Sequence, residues 1–444
     1  MLHPTNMTAL PVGVLGLGRS GMAAAQSLCA AGATVFMADD HGTTATIPAG
    51  CQLVPWQDWP WESLALLVIS PGIPHLHPTP HPAAEMAREH GVEIVSEVEI
   101  ALRAQPQARL VTVTGTNGKS TATALIGHCL ASADWPVAVG GNIGDAACGL
   151  TDPGPDGVIV LELSSYQLET TPSLCSDIAI LLNITPDHLD RHNGMDGYVA
   201  AKTKIFDQMR DGGLAVIGTN DPYVGNIGEQ LVQRGLTTQQ IDHELVPAWL
   251  AECQSLRGTH NAENAVAALL ALRQLGMDDA TIAAGMRSFA GLPHRMQHVG
   301  QWRNIAFIDD SKATNGVAAA KSMGAFDNIY WIAGGTAKED GIGAAADALD
   351  QIHRAYLIGA SADAFADQLS GHVPTQIMGD LDSATRAAFA DACDETKRDA
   401  LPATILLAPA AASFDQFDSF VARGEAFAAL AQELIHPTAG GAHA

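Results

Sequence analysis

Positive charge is scarce in this chain of 444 residues: 23 lysines and arginines stand against 48 aspartates and glutamates, for a formal net charge of −25. A duplex nucleic acid or an anionic membrane surface would be repelled, so neither is an expected partner. Cysteine is sparse and unpatterned. Cys29, Cys51, Cys129, Cys148, Cys175, Cys253 and Cys393 are odd in number and form no C-x-x-C pair, which argues against zinc or a redox dithiol and predicts reduced thiols in a cytosolic core. No run reaches the ~18 apolar residues of a membrane span, and no Lys or Arg precedes Arg19 as a secretory signal would require. The expected location is the cytoplasm. Aromatic residues are few (5%) and charged ones make up 16%, while 47% of the chain is hydrophobic, with 43 Gly; such an Ala- and Gly-rich composition buries enough apolar surface to fold.

The length favours two to four domains. Short β-branched runs alternate with Ala-rich helical stretches from end to end, which predicts α/β layers with mainly parallel sheets. Strands are expected at 12–17, 34–37, 66–69, 110–114, 158–163, 178–182, 305–308, 329–333, 356–358 and 405–407. Breakers at Gln105-Pro106-Gln107 and Gly291-Leu292-Pro293 divide the chain into 1–105, 106–294 and 295–444.

Most of the polar motifs follow directly on one of these strands. Gly16-Leu17-Gly18-Arg19-Ser20-Gly21 leads into an Ala-rich helix, aiming backbone N–H groups at an anion, and Asp39 ends the next strand, where such folds place a ribose-reading acid. By itself this fits a nicotinamide or flavin site, another nucleotide, or a tight turn. Ser70-Pro71-Gly72 is a second strand-end turn. The strongest signal is Gly115-Thr116-Asn117-Gly118-Lys119-Ser120-Thr121 between a strand and a helix: the glycines let N–H groups wrap a phosphate, the lysine neutralises it, and a hydroxyl is available to Mg²⁺. Glu162 ends a run too apolar to hold a free carboxylate cheaply, so it calls for a cation. The cluster from Asn183 to His192, including His188, supplies donors for a second divalent ion. Lys202 reads as a surface lysine on pattern alone. Asn261 and Asn264 share a helix face and suit a base edge or a capping turn. Farther on, His294-Arg295, Asp310 with Lys312 and Thr314, Gly334 to Lys338, and Ser413-Phe414 to Phe420 form further polar groups in the last third of the chain.

Taken in order, these motifs resemble the Mur ligases from Gly16 to Phe420. The phosphate loop and the His260-Asn261 to Asn264 run are shared with folylpolyglutamate synthetases, whereas Glu162 to Glu169, Gly291 to Arg295, Asp310 to Asn315 and Ser413 to Phe417 look like the D-glutamate-adding branch. The resemblance implies a Rossmann-like first domain, a central P-loop ATPase domain and a Rossmann-like last domain. It implies UDP-N-acetylmuramoyl-L-alanine and D-glutamate as partners and ATP with two Mg²⁺ ions. The UDP end would bind Gly16, Gly18, Arg19, Ser20, Gly21, Asp39, Ser70, Pro71 and Gly72, with Asn142, Ser164 and His188 on the muramoyl part. ATP would bind residues 115–121, Asn261, Asn264, Arg295 and Asp310. The glutamate would meet Lys312, Thr314, Lys338, Ser413, Phe414 and Phe420. The metals would lie on Ser120, Glu162, His188 and a carbamylated Lys202, and Lys119, Glu162, His188 and Lys202 would be the catalytic set. Thr336, Phe414 and residues 221–256 depart from the family pattern. Another Mur-type ligase adding, for example, L-glutamate and a nicotinamide-dependent oxidoreductase are the alternatives, and a monomer is expected.

Overall fold

A computed structural model of the chain describes residues 1–44, 46–219, 221–337, 341–399 and 401–436. Three sheets carry it. The first contains β1 (Pro11–Leu15), β2 (Thr34–Ala38), β3 (Cys51–Leu53), β4 (Leu66–Ile69) and β5 (Glu93–Val95), all parallel in the order β3-β2-β1-β4-β5. The second contains β6 (Arg109–Thr114), β7 (Val137–Gly141), β8 (Val158–Glu162), β9 (Cys175–Leu181), β10 (Gln208–Ile217) and β11 (Thr237–Gln240), again all parallel, in the order β11-β10-β9-β6-β8-β7. The third contains β12 (Gln297–Trp302), β13 (Ile305–Asp309), β14 (Ile329–Gly334), β15 (Ile352–Ile358), β16 (Thr375–Gly379) and β17 (Ala403–Leu407). Its order is β12-β13-β17-β14-β15-β16, with only β12 antiparallel.

Central strands such as Val158-Ile-Val-Leu-Glu162 are buried at every position, because helices cover both faces of a parallel sheet. Within each sheet the carboxyl ends of the parallel strands therefore open on one side, the sheet's rim, and the polar motifs follow those ends. The strand expected at 12–17 stops at Leu15, where Gly16 turns the chain with φ +88°.

The chain forms two compact units. One is Met1–Cys253 with Thr259–Phe289 and contains the first two sheets; the other is Gln254–Gly258 with Ala290–Ala444 and contains the third. Within the first unit a single apolar cluster runs from Val14 and Leu28 through Val98 and Cys148 to Leu168 and Ile217, so the two sheets share a core. Bonds such as Ser96 N to Thr170 O (2.8 Å) join them across the 105–107 turn. The expectation that all seven thiols are reduced fails at one pair. Cys29 lies in the last turn of the helix Arg19–Ala30, Cys51 begins β3, and the fold brings their Cα atoms to 6.5 Å as a disulfide; the other five carry thiols. Among the described residues no helix is long and apolar enough to cross a membrane.

Candidate active site

The phosphate loop is built where β6 gives way to the helix Lys119–Ser132. Gly118 starts that helix at φ +85°, and a Cβ there would lie 2.3 Å from Asn264 Oδ1, so both backbone and neighbour demand glycine. Asn183 fixes the loop from β9: its Oδ1 accepts from Asn117 N (2.9 Å), its Nδ2 donates to Asn117 O (3.1 Å), and its carbonyl accepts from Thr116 N (2.9 Å). Thr116 Oγ1 meets Tyr198 Oη at 3.0 Å. Lys119 Nζ donates to the carbonyls of Gly115 and Thr116, both at 2.9 Å, and Lys202 Nζ donates to the same Gly115 carbonyl at 2.8 Å.

Two lysine nitrogens thus converge on one carbonyl. Lys202 is buried, 4.7 Å over the Tyr198 ring, and burial followed by repulsion from Lys119 holds its pKa well below the usual lysine value, against the pull of Asp187 and Glu162. In a chain of such acidity, this is where a polyanion is welcome. Lys202, read on pattern as a surface side chain, is 1% exposed. Asn261 and Asn264 are also buried, with Asn264 Nδ2 3.4 Å from Asn261 Oδ1, and Asn264 lies against Gly118 of the loop.

Glu162 pairs in register beside Val113 of β6 and so reaches the same rim. It is 2% exposed; Oε1 accepts from Asn142 Nδ2 (2.7 Å) and Oε2 is buried with no partner. An orphaned carboxylate oxygen beside a phosphate loop fits a divalent cation, and Ser120, one residue past the lysine, offers a hydroxyl. Among the described residues no three His, Cys, Asp or Glu side chains gather as a ready metal cluster, so hydroxyl and phosphate oxygens would complete the shell. His188 is about half exposed, in a left-handed conformation (φ +52°), 3.5 Å from Asp187; partial desolvation of its ring, only partly opposed by Asp187, lowers its pKa, the direction that favours the ligand-competent imidazole. Ser164 is engaged locally, closing a capping box with Gln167 (Gln167 N to Ser164 Oγ, 3.2 Å).

In the first sheet, a Cβ on Gly21 would sit 1.9 Å from Gly16 O, which makes the turn glycine-dependent. Gly18 caps the helix Arg19–Ala30 with open space before it, and Ser20 lies in its first turn. Asp39 spends both oxygens on backbone, accepting from Leu17 N (2.7 Å) and His41 N (2.9 Å). Ser70 Oγ donates to Gly16 O at 2.8 Å, tying the turn of Pro71 and Gly72 to the glycine turn. Arg19 Nη2 donates to Asn142 O at 3.2 Å and so reaches the second sheet beside Glu162.

In the second unit, Asp310 is buried and accepts from the Ser322 hydroxyl; burial lifts its pKa to about 6, with Ser322 and Arg295 pulling the other way. Lys312 Nζ stands 4.2 Å over the Phe420 ring, Thr314 follows in the same turn, Ser413 is buried and Phe414 is 75% exposed. Lys338 lies outside the described residues. Sequence reasoning missed Arg423, which is 1% exposed and donates to Ser311 Oγ (2.9 Å), Ser311 O (2.9 Å) and Ala411 O (3.1 Å), binding the ends of β13 and β17 together. Burial lowers its pKa to about 10 against Asp415 and Asp309. It also missed Asn183, Arg191 and Tyr198 as individual actors. An arginine on an Ala-rich helix, in a chain so poor in cations, was the available signal for Arg423.

Residues 113–249 match the Mur ligase middle domain family and residues 294–411 match the Mur ligase glutamate ligase domain family. Full-length similarity extends to proteins named UDP-N-acetylmuramoylalanine--D-glutamate ligase. That of Caulobacter vibrioides is 42% identical, covering 98% of this chain and 97% of the relative; that of Rhodospirillum rubrum is 43% identical over 96% and 95%; that of Paramagnetospirillum magneticum is 45% identical over 94% and 95%. Among solved structures, UDP-N-acetylmuramate-alanine ligase MurC of Thermotoga maritima shares the fold with a TM-score of 0.58 at 18% identity, covering 96% of this chain and 99% of that one. MurF of Acinetobacter baumannii does so with 0.57 at 17%, over 96% and 92%.

Proposed function

The chain belongs to the Mur ligase family, and from that premise we propose that it is the ATP-dependent ligase joining D-glutamate to UDP-N-acetylmuramoyl-L-alanine, a monomeric cytoplasmic enzyme of peptidoglycan precursor synthesis. The observation that carries the reading is the convergence of Lys119, Lys202 and the half-satisfied Glu162 on the loop Gly115–Thr121. Phosphoryl transfer from ATP to the alanyl carboxylate makes an acyl phosphate; attack by the amino acid's nitrogen forms the amide and releases phosphate, with ADP as the other product.

The chain's own groups divide this work. Backbone N–H groups at the start of the helix Lys119–Ser132 hold the phosphates, and Lys119 neutralises charge on the group in flight. Ser120 and Glu162 would hold one Mg²⁺, and His188 with Lys202 a second. Bound there, the ions draw charge off the transferring oxygens. Burial and Lys119 hold the pKa of Lys202 down, which makes its proton easier to lose, and an unprotonated amine reacts with carbon dioxide; Lys202 would then serve as a carbamate, an anionic ligand in place of a repelled ammonium. The first sheet would take the UDP end on Gly16–Gly21 and Ser70–Gly72, and the third sheet the incoming amino acid on Lys312, Thr314, Lys338, Ser413, Phe414 and Phe420, with Arg295 and Asp310 serving ATP.

The test is phosphate release from ATP in the presence of UDP-N-acetylmuramoyl-L-alanine and a panel of amino acids of both hands. Release with D-glutamate alone is expected. Release with L-glutamate instead, or with no amino acid dependence, would overturn the assignment.

A further inference from the structure

Arg191 joins two loops that belong to different sheets. Its guanidinium donates from Nη1 to the Gly72 carbonyl (3.0 Å) and from Nη2 to those of Pro71 (3.3 Å) and Ile73 (3.2 Å), while its flat face lies 4.4 Å from the Tyr166 ring centroid. Pro71 to Ile73 form the turn after β4, tied through Ser70 to Gly16. Tyr166 lies on the helix Ser165–Glu169 just past Glu162, and its ring stands 5.2 Å from that of His188 and 5.3 Å, stacked, from that of His192. His192 is held at both nitrogens, 2.8 Å from Ser165 Oγ and 3.0 Å from Glu169 Oε1. The segment that carries His188 is therefore one locked stack; Arg191 carries it to the turn Pro71 to Ile73 by three hydrogen bonds, beside a longer contact of Glu169 with His75 (3.8 Å) in the same loop.

Hydrogen bonds from a charged donor are stronger than neutral ones, and a planar fork that serves three carbonyls while stacking on a ring has no lysine equivalent. We propose that Arg191 is a positioning residue that couples occupancy of the Ser70–Gly72 turn to the geometry of the triphosphate site. The proposal rests on the reading that the first sheet takes the UDP-sugar and the second takes ATP. A ligand seated on the turn orders the carbonyls of Pro71 to Ile73, these order Arg191, and Arg191 orders the Tyr166 stack beside Glu162 and His188. The second ligand then meets a site already arranged, and linkage makes the effect reciprocal.

Binding of a non-hydrolysable ATP analogue with Mg²⁺ to the full chain, by calorimetry, with and without saturating UDP-N-acetylmuramoyl-L-alanine, tests this. In the unaltered protein the sugar nucleotide tightens the analogue by at least about 5-fold, the low end of common coupling. In Arg191→Ala and Arg191→Lys the two analogue affinities differ by less than about 2-fold, and KM for the sugar nucleotide rises while KM for the amino acid does not. Arg191→Lys keeps the charge and decides the matter if Arg191→Ala does not fold. Coupling absent from the unaltered protein, or retained in Arg191→Lys whatever its melting temperature, overturns the proposal. No ATP-dependent ligation by the unaltered protein overturns the substrate reading, and the coupling with it.

Discussion

Glu162 and Glu97 are both 2% exposed, and each has one carboxylate oxygen without a partner, yet they call for different explanations. Glu162 sits on the rim beside the phosphate loop, where a cation can complete it. Glu97 starts the helix Glu97–Leu102, where Oε1 accepts from Cys148 N (2.7 Å), and burial lifts its pKa from 4.5 to about 7 against that N–H and the attraction of Arg19. A proton completes it instead. A folded-state pKa above the unfolded one favours the protonated native state, so the contribution is full below pH 4.5 and is lost as pH rises through about 7. The loss amounts to about 3 kcal/mol. Glu97→Gln keeps the bond from Cys148 and cannot ionise, so urea midpoints measured from pH 4.5 to 8 should flatten relative to the unaltered chain; parallel profiles would refute the account. At this scale Lys119 was legible, because glycine, lysine and hydroxyl follow one another in sequence, whereas Lys202 was not, because its burial depends on Tyr198 and Gly115, which only folding brings to it. Both Lys119→Ala and Lys202→Ala are expected to abolish phosphate release. Short carboxylates such as acetate should partly restore Lys202→Ala alone by standing in for the carbamate, and restoration of neither would argue against an anionic group at that position.

Among elements, the strands read from sequence are those covered on both sides, and the strands missed include all six sheet edges, β3, β5, β7, β11, β12 and β16. An edge strand needs no continuous apolar run, and Thr237-Thr-Gln-Gln240 in β11 has no hydrophobic residue at all. β10 was missed for another reason. It lies inside its sheet but opens with Gln208-Met-Arg-Asp-Gly-Gly213, where its register against β9 shifts between Met209 and Leu214. The strand-to-helix turn at the phosphate loop was fully legible, because its glycines answer a local demand. Gly118→Ala tests that demand. A left-handed alanine costs about 1–2 kcal/mol, and the new Cβ must also displace Asn264 Oδ1. We expect kcat/KM for ATP to fall by at least about 10-fold, as 1.4 kcal/mol implies. Full activity in Gly118→Ala would show that the loop does not need this conformation.

For the whole molecule, the turn at 105–107 was legible as a change of sheet, but not the apolar cluster that fuses the first two sheets into one unit, since Leu28, Val98 and Leu168 carry no mark of whom they will meet. The net charge of −25 was legible from the start and sets a competition that depends on salt. Every substrate proposed here is an anion. At about 0.01 M ionic strength fields reach some 30 Å, so an approaching nucleotide feels the whole acidic chain; at about 0.15 M they reach about 8 Å. At that shorter range an incoming phosphate is influenced mainly by Lys119 and Arg19. Screening should therefore remove repulsion while sparing the attraction that matters at contact. With free Mg²⁺ held constant, kcat/KM for the sugar nucleotide should rise several-fold between those two ionic strengths, opposite to the behaviour of an enzyme whose distant cations steer its substrate. A steady fall over the same range would mean that the cations of the rim act at long range despite the surrounding acid, and that the global charge does not govern encounter.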